Sequence, residues 1–289
     1  MSVTGRMKKM TLAELNRKKK ADEKITMLTA YDYPGAQMAE EAGMDMILVG
    51  DSLAMTVLGH PDTVSVTMDE MLHHCKAVQR GATAPFLVGD MPFMSYHADP
   101  FEAVKNAGRF IKEARMDAVK LEGGENVLPA IEAIVKAGIP VLGHLGLTPQ
   151  TATALSGYKV QGKTAAAART IIEDARLLEN AGCFGIVLEA IPSPLAELIT
   201  DEMNIPTIGI GAGAACDGQV LVYHDILGLY DQFKPKFVKQ YAEIKPLIVK
   251  AMKTYADEVR TGAFPGPEHS FSMKKEELKS LLERDMEWV

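Results

Sequence analysis

Two aspartates stand directly after glycines at the ends of consecutive apolar runs. Asp51 closes Met46-Ile47-Leu48-Val49-Gly50, and Asp90 closes Phe86-Leu87-Val88-Gly89. If both runs are strands of one sheet, the carboxylates meet at its edge. Neighbouring carboxylates repel and desolvate each other, and a divalent cation is the common remedy; an oxygen-only donor set without Cys or His favours Mg²⁺. Glu122, ending Ala118-Val119-Lys120-Leu121, is a third candidate ligand, directly or through water. The competing reading of any one of these carboxylates is a cap on the following helix. Their repetition at three run ends favours the metal.

Lys120 lies two residues before Glu122, so on a strand both side chains point to one face. Its ammonium suits neutralisation of a substrate carboxylate or of an enolate oxygen, or else a structural ion pair with Glu122 or Asp90. Glu189 ends Ile186-Val187-Leu188 and precedes Ala190-Ile191-Pro192, a lone carboxylate between apolar neighbours. Such surroundings raise a carboxyl pKa towards neutrality, as a general base acting on a carbon-bound proton requires. The alternative is a salt bridge inside the fold. His144, between Gly143 and Leu145-Gly146, is a candidate partner of substrate or of Glu189. His73-His74-Cys75 falls within a helical pattern, where adjacent side chains diverge by about 100° and do not chelate together. Gly209-Ile210-Gly211-Ala212-Gly213 suggests a phosphate cradle or a close approach of neighbouring chain, but it opens no helix and does not support a dinucleotide fold.

These residues need elements that converge. Eight short apolar runs, Ile25-Tyr31, Met46-Asp51, Phe86-Pro92, Ala118-Gly124, Pro140-Leu147, Gly185-Ile191, Pro206-Gly213 and Gln219-Asp225, suit strands buried on both faces. Helical patterns lie between them: Pro34-Ala42, Thr67-Arg80, Pro100-Ala114, Asn126-Ala137, Lys163-Ala181 and Pro194-Met203. This alternation predicts an α/β fold, an eight-stranded (β/α)₈ TIM barrel, with a doubly wound open sheet as the alternative. The polar residues decide between them, because a barrel turns the C-terminal ends of all its strands to one mouth.

No Pro/Gly/Ser-rich linker interrupts Met1 to Gly262 and no repeat appears beyond the strand-helix alternation, so one barrel domain is expected over residues 1–289, with a Pro/Gly loop at Phe264–Pro267 inside its C-terminal extension. A short helix near 11–19 would plug the barrel bottom, and a helical extension near 235–289 would include a long helix from Pro235 to Thr261 and a charged one from Lys274 to Arg284. The 31 Lys and Arg against 38 Asp and Glu give a net charge of −7, the wrong sign for a nucleic-acid partner. The basic cluster Arg17-Lys18-Lys19-Lys20 reads as the solvated end of a helix. No apolar run is long enough for a membrane span or signal peptide. Cys75, Cys183 and Cys216 form neither a disulfide framework nor a zinc pattern, so a cytoplasmic protein is expected.

The motifs, taken in order, resemble the ketopantoate hydroxymethyltransferase (3-methyl-2-oxobutanoate hydroxymethyltransferase) family. The resemblance rests on Leu28-Thr29-Ala30-Tyr31-Asp32, Val49-Gly50-Asp51-Ser52-Leu53, Gly89-Asp90-Met91-Pro92-Phe93, Val119-Lys120-Leu121-Glu122-Gly123-Gly124, Gly143-His144-Leu145-Gly146-Leu147-Thr148-Pro149-Gln150, Gly157-Tyr158-Lys159-Val160-Gln161-Gly162, Leu188-Glu189, Gly209 to Gly213 and Cys216-Asp217-Gly218-Gln219-Val220. It covers roughly Met7 to His269. Ser156 stands where Gly is expected, and the tail from Lys274 to Val289 lies outside the resemblance.

The resemblance implies a barrel of the phosphoenolpyruvate/pyruvate superfamily, Mg²⁺ dependence and a homodecamer. It also implies transfer of a one-carbon unit from 5,10-methylenetetrahydrofolate to 3-methyl-2-oxobutanoate, giving 2-dehydropantoate for pantothenate synthesis. On this resemblance Asp51 and Asp90 are metal ligands and Glu122 a further or water-bridged one. Ser52 and Lys120 are substrate contacts, and Glu189 is the proton acceptor. Keto-acid chemistry agrees, since metal chelation acidifies the hydrogen on the adjacent carbon. Two alternatives are a Mg²⁺-dependent lyase or mutase of the same superfamily and a non-catalytic ligand-binding barrel. The Lys-Lys-Cys-Gly-His loop of the isocitrate-cleaving relatives is absent from this sequence.

Overall fold

The computed structural model describes residues 8–154, 157–232 and 234–285. All eight expected strands form, and they pair in parallel and in chain order into a closed barrel. They are β1 (Ile25–Thr29), β2 (Met46–Val49), β3 (Phe86–Asp90), β4 (Ala118–Glu122), β5 (Val141–Gly146), β6 (Gly185–Glu189), β7 (Thr207–Ile210) and β8 (Gly218–Leu221). Pairing of Ile25–Leu28 with Gly218–Leu221 closes the ring and rules out the open sheet.

The helices are α1 (Leu12–Lys20), α2 (Tyr33–Glu41), the single turn α3 (Leu53–Thr56), α4 (Met68–Gly81), α5 (Pro100–Ala114), α6 (Leu128–Lys136), α7 (Ala165–Asn180), α8 (Ser193–Glu202), the single turn α9 (Tyr223–Ile226), α10 (Ile244–Thr261) and α11 (Lys275–Asp285). Local chemistry sets several starts. At α4, Thr67 Oγ1 accepts the Glu70 N–H while the Glu70 carboxylate accepts the Thr67 N–H, a reciprocal cap. Asp32 caps α2 by accepting the Gly35 N–H at 2.7 Å.

Strand alternation divides the buried residues into two cores. Outward-facing Ile47, Val49, Leu87, Val119, Leu121, Ile186 and Leu188 meet the helices. Inward-facing Ile25, Met27, Met46, Leu48, Phe86, Val88, Ala118, Leu142, Val187, Ile208 and Val220 fill the lower barrel. Above them, at the C-terminal ends, the inward positions turn polar.

Glycine before a site residue has a packing reason at two strands. A Cβ at Gly89 would lie 2.4 Å from the Phe110 ring of α5, and one at Gly143 2.7 Å from Leu178 of α7. Helices therefore pack directly on the backbone there, while Asp90 and His144 point the other way, into the mouth.

Helix α1 closes the bottom: Leu15 is buried in the lower core. Its basic end is not simply solvated, as the sequence reading expected. Lys18 pairs with Asp45 at 3.0 Å and Lys19 with Asp217 at 2.7 Å, tying the plug to the loops entering β2 and β8.

The C-terminal extension also differs from expectation. No helix starts at Pro235; α10 begins at Ile244. The N–H groups of Tyr241 and Ala242 donate to the Ile226 carbonyl and that of Ile244 to Leu227. These tertiary hydrogen bonds hold the preceding segment as a strap across the mouth and override its helical pattern. Helix α10 buries no residue, leaving Leu247, Met252 and Tyr255 exposed. The three cysteines are free and buried. Among the described residues, no helix is long and apolar enough to cross a membrane. Ser156 lies outside the described residues.

Candidate active site at the barrel mouth

A cavity of about 390 Å³ opens at the C-terminal ends of the strands, and Asp51, Ser52, Asp90, Lys120, Glu122, His144 and Glu189 all line it. Convergence at that end of a barrel is the usual location of an active site.

Asp51, Asp90 and Glu122 offer oxygens within 4.8 Å of one another, the one such group of potential metal ligands among the described residues. All three are buried. Burial, then repulsion from Asp90 and Glu122, raises the Asp51 pKa well above the carboxylate range. Burial also raises that of Asp90, against the pull of Lys120. Burial acts upward on Glu122 too, but Lys120 and His144 hold it down to about 2.

Lys120 Nζ donates to both Asp90 oxygens, at 2.7 and 2.9 Å, and to Glu122 Oε1 at 3.2 Å. The Asp51 N–H donates to Asp90 Oδ2 at 3.1 Å. His144 sits between carboxylates, with Nδ1 3.3 Å from Glu122 Oε1 and Nε2 3.3 Å from Glu189 Oε2. Both are close ionic approaches rather than well-aligned hydrogen bonds. Burial and the Lys120 charge push the His144 pKa down, but Glu122 and Glu189 prevail and lift it to about 9. Glu189 is therefore not the lone carboxylate its apolar neighbours suggested. Fully ionised, with His144 protonated, the cluster holds four carboxylates and two cations. One divalent ion would neutralise the remainder, so the donor set fits Mg²⁺ in both charge and hardness.

Two residues that sequence reasoning left without a role organise this cluster. Gln150 donates from Nε2 to Asp51 Oδ2 and to the Met91 carbonyl, both at 3.0 Å, and its N–H donates to Glu122 Oε2 at 3.1 Å. Its Oε1 accepts the Tyr96 hydroxyl at 2.7 Å, which fixes the amide orientation. The Tyr96 oxygen in turn accepts the Glu122 N–H at 3.1 Å. Gln150 follows β5 in Thr148-Pro149-Gln150, but Tyr96 lies in a loop with no periodicity to mark it. Ser52 shares a 2.9 Å hydrogen bond with the Tyr31 hydroxyl.

The turn carrying Glu189 is strained. Ala190 has φ 47°, held by its N–H to Ile210 and by its carbonyl, which accepts the Gln161 N–H. Gly146, at φ +94°, lies so close that a Cβ would come within 2.2 Å of the Glu189 carbonyl oxygen. Gly146→Ala should therefore lower stability by about 1–3 kcal/mol and displace Glu189. The expected result is a lower melting temperature and turnover reduced more than tenfold, with the acidic cluster left intact. Unchanged melting and turnover would contradict this.

Gly211 and Gly213 are not a vacant phosphate cradle. The Phe237 ring packs over the first and Ser193 over the second, at 2.6 and 2.2 Å from where a Cβ would stand. His74 Nδ1 donates to the Tyr31 carbonyl at 2.6 Å, while His73 faces solvent.

A relative from Oleidesulfovibrio alaskensis named 3-methyl-2-oxobutanoate hydroxymethyltransferase is 60% identical over 277 residues, covering 96% of each chain. One of the same name from Moorella thermoacetica is 59% identical over 263 residues, covering 91% of this chain and 98% of its own. Among solved structures, a phosphonopyruvate hydrolase superposes with a TM-score of 0.60 at 15% identity over 98% of both chains. A 2,3-dimethylmalate lyase of the PEP mutase/isocitrate lyase superfamily gives 0.56 at 16% identity over 96% of both. At those identities the structural matches establish the barrel type alone. The ketopantoate hydroxymethyltransferase family model matches residues 9–267, which hold every strand and all of the acidic cluster. With that match and relatives at 59–60% identity, the chain belongs to the ketopantoate hydroxymethyltransferase family.

Proposed function

We propose that this protein transfers the one-carbon unit of 5,10-methylenetetrahydrofolate to 3-methyl-2-oxobutanoate, water supplying the hydroxyl, to give 2-dehydropantoate and tetrahydrofolate for pantothenate synthesis, with Mg²⁺ as its metal. The observation that carries the reading is the buried Asp51, Asp90 and Glu122 set facing Glu189 across one cavity. Asp51 and Asp90 would hold the ion, with Glu122 as a further ligand directly or through water. Bound there, Mg²⁺ supplies Lewis-acid polarisation of the 2-oxo acid.

Glu189 takes the proton from C3 of the keto acid. It lies at the cavity wall with 15% of its side chain exposed, accessible to substrate and partly desolvated. The His144 imidazolium puts a positive charge beside this base and beside Glu122. Lys120 carries the compensating charge for the enolate oxygens and the substrate carboxylate. Ser52, positioned by Tyr31, offers a hydroxyl to the substrate. Tyr158, Lys159 and Val160 from one side and the Pro235–Phe237 strap from the other border the cavity, where they would limit water and receive the folate. Formation of 2-dehydropantoate from the two substrates in Mg²⁺ and its abolition by EDTA tests the reading; no product in any divalent metal would overturn it.

The same reading makes the protein a cytoplasmic homo-oligomer, a decamer by family resemblance. The exposed apolar side chains of α10 support association, because residues such as Leu247, Met252 and Tyr255 gain by leaving water. Light scattering should report a mass many times the 31.4 kDa of one chain. A mass of one subunit would refute the assembly.

A further inference from the structure

Five carboxylates line the cavity: Asp51, Asp90, Glu122, Glu189 and Asp225. The first three have hydrogen-bond partners, and Glu189 has His144. Asp225 stands apart. It lies on α9, just beyond β8, and among the described residues its carboxylate has neither a hydrogen-bond donor nor an ion-pair partner. It is half-buried nonetheless, and burial alone lifts its pKa to about 6. A half-buried carboxylate to which the protein supplies no donor is free to accept hydrogen bonds from a ligand entering the cavity, where the lower dielectric strengthens them.

The surroundings restrict that ligand. Val220 and Val222, together with the rings of Tyr230 and Phe237, line the same cavity and give it apolar and aromatic surface. The metal-ligand candidates come from β2, β3 and β4, whereas Asp225 follows β8. A second, planar ligand with an edge of paired N–H groups would satisfy both oxygens at once, in the fork geometry that carboxylates accept well.

We infer that Asp225 recognises the one-carbon donor, accepting two hydrogen bonds from the aminopyrimidinone edge of its pterin while the keto acid occupies the acidic side of the cavity. This rests on the reading above in which a reduced folate is the donor. The role is recognition: Asp225 takes part in no bond change, and its loss weakens donor binding rather than keto-acid binding.

The test is steady-state kinetics of wild type, Asp225→Asn and Asp225→Ala with the keto acid and 5,10-methylenetetrahydrofolate, each variant first checked for a wild-type melting curve. Loss of a charge-assisted pair predicts a donor KM raised roughly 10- to 100-fold, with the keto-acid KM within about twofold of wild type. A binding measurement on the wild-type protein needs no variant. Tetrahydrofolate should bind at least about tenfold more tightly than its 2-desamino analogue. A donor KM unchanged in both variants, or equal binding of the two folates, would overturn the assignment of Asp225 while leaving the folate reading intact. Wild-type protein that consumes no folate at all would instead overturn the reading on which the assignment rests.

Discussion

Glu189→Gln should slow exchange of the C3 hydrogen of 3-methyl-2-oxobutanoate by roughly 10²- to 10⁴-fold, the range of a positioned general base. The substitution is nearly isosteric and leaves the acidic cluster untouched, so Mg²⁺ binding and the melting temperature should stay close to wild type. His144 then loses one of its two carboxylate partners, 3.3 Å away, but keeps Glu122. The outcome separates two roles of Glu189. If it only closes a salt bridge with His144, the exchange rate survives and stability falls. If it is the base, exchange is lost and the fold is not. Deuterium incorporation followed by NMR, beside a thermal melt, reads both. Exchange in the variant as fast as in wild type would place the base elsewhere.

Asp51→Asn should instead raise the stability of the metal-free protein. Asp51 is buried, repelled by Asp90 and Glu122, and only indirectly compensated by Lys120, whose hydrogen bonds go to the other two. Asn carries neither this repulsion nor the cost of protonating a buried carboxylate, and a gain of the order of 1 kcal/mol in the metal-free protein would raise its melting temperature by roughly 2–4 °C. Gln150 Nε2 still finds an acceptor in the Asn oxygen, so the hydrogen-bond frame survives. On the proposed assignment, however, Mg²⁺ loses one of two principal ligands. Its affinity should fall more than tenfold, the stabilisation that metal gives the wild type should vanish, and turnover should be lost. Melting curves with and without Mg²⁺ check the first two effects and a product assay the third. A variant retaining both Mg²⁺ affinity and turnover would refute the assignment of Asp51.

The acidic cluster was legible in the sequence because strand geometry makes it so. Each of Asp51, Asp90 and Glu122 ends an apolar run, and parallel pairing in chain order brings consecutive run ends together. Gly89 and Gly143 strengthened the signal for a reason only the structure explains, the packing of Phe110 and Leu178 onto bare backbone. Gln150 and Tyr96 were not legible. Their role depends on two loops meeting, which no local periodicity encodes. The strap before α10 was misread because a helix-compatible segment gives its backbone donors to Ile226 and Leu227 instead. Lys18 and Lys19 were misread because a charge run carries no record of Asp45 and Asp217 waiting beneath the barrel. Asp225 was hidden at the end of a run taken as strand, where β8 passes into a single helical turn.

If this cavity removes the C3 proton of a metal-chelated 2-oxo acid, wild-type protein with 3-methyl-2-oxobutanoate in D₂O will show it by NMR, first with Mg²⁺ and then with EDTA. The C3 hydrogen signal should be lost in Mg²⁺, persist in EDTA, and exchange again when Mg²⁺ is returned. Exchange that proceeds equally in EDTA, or that fails in Mg²⁺ even with tetrahydrofolate present, would contradict it.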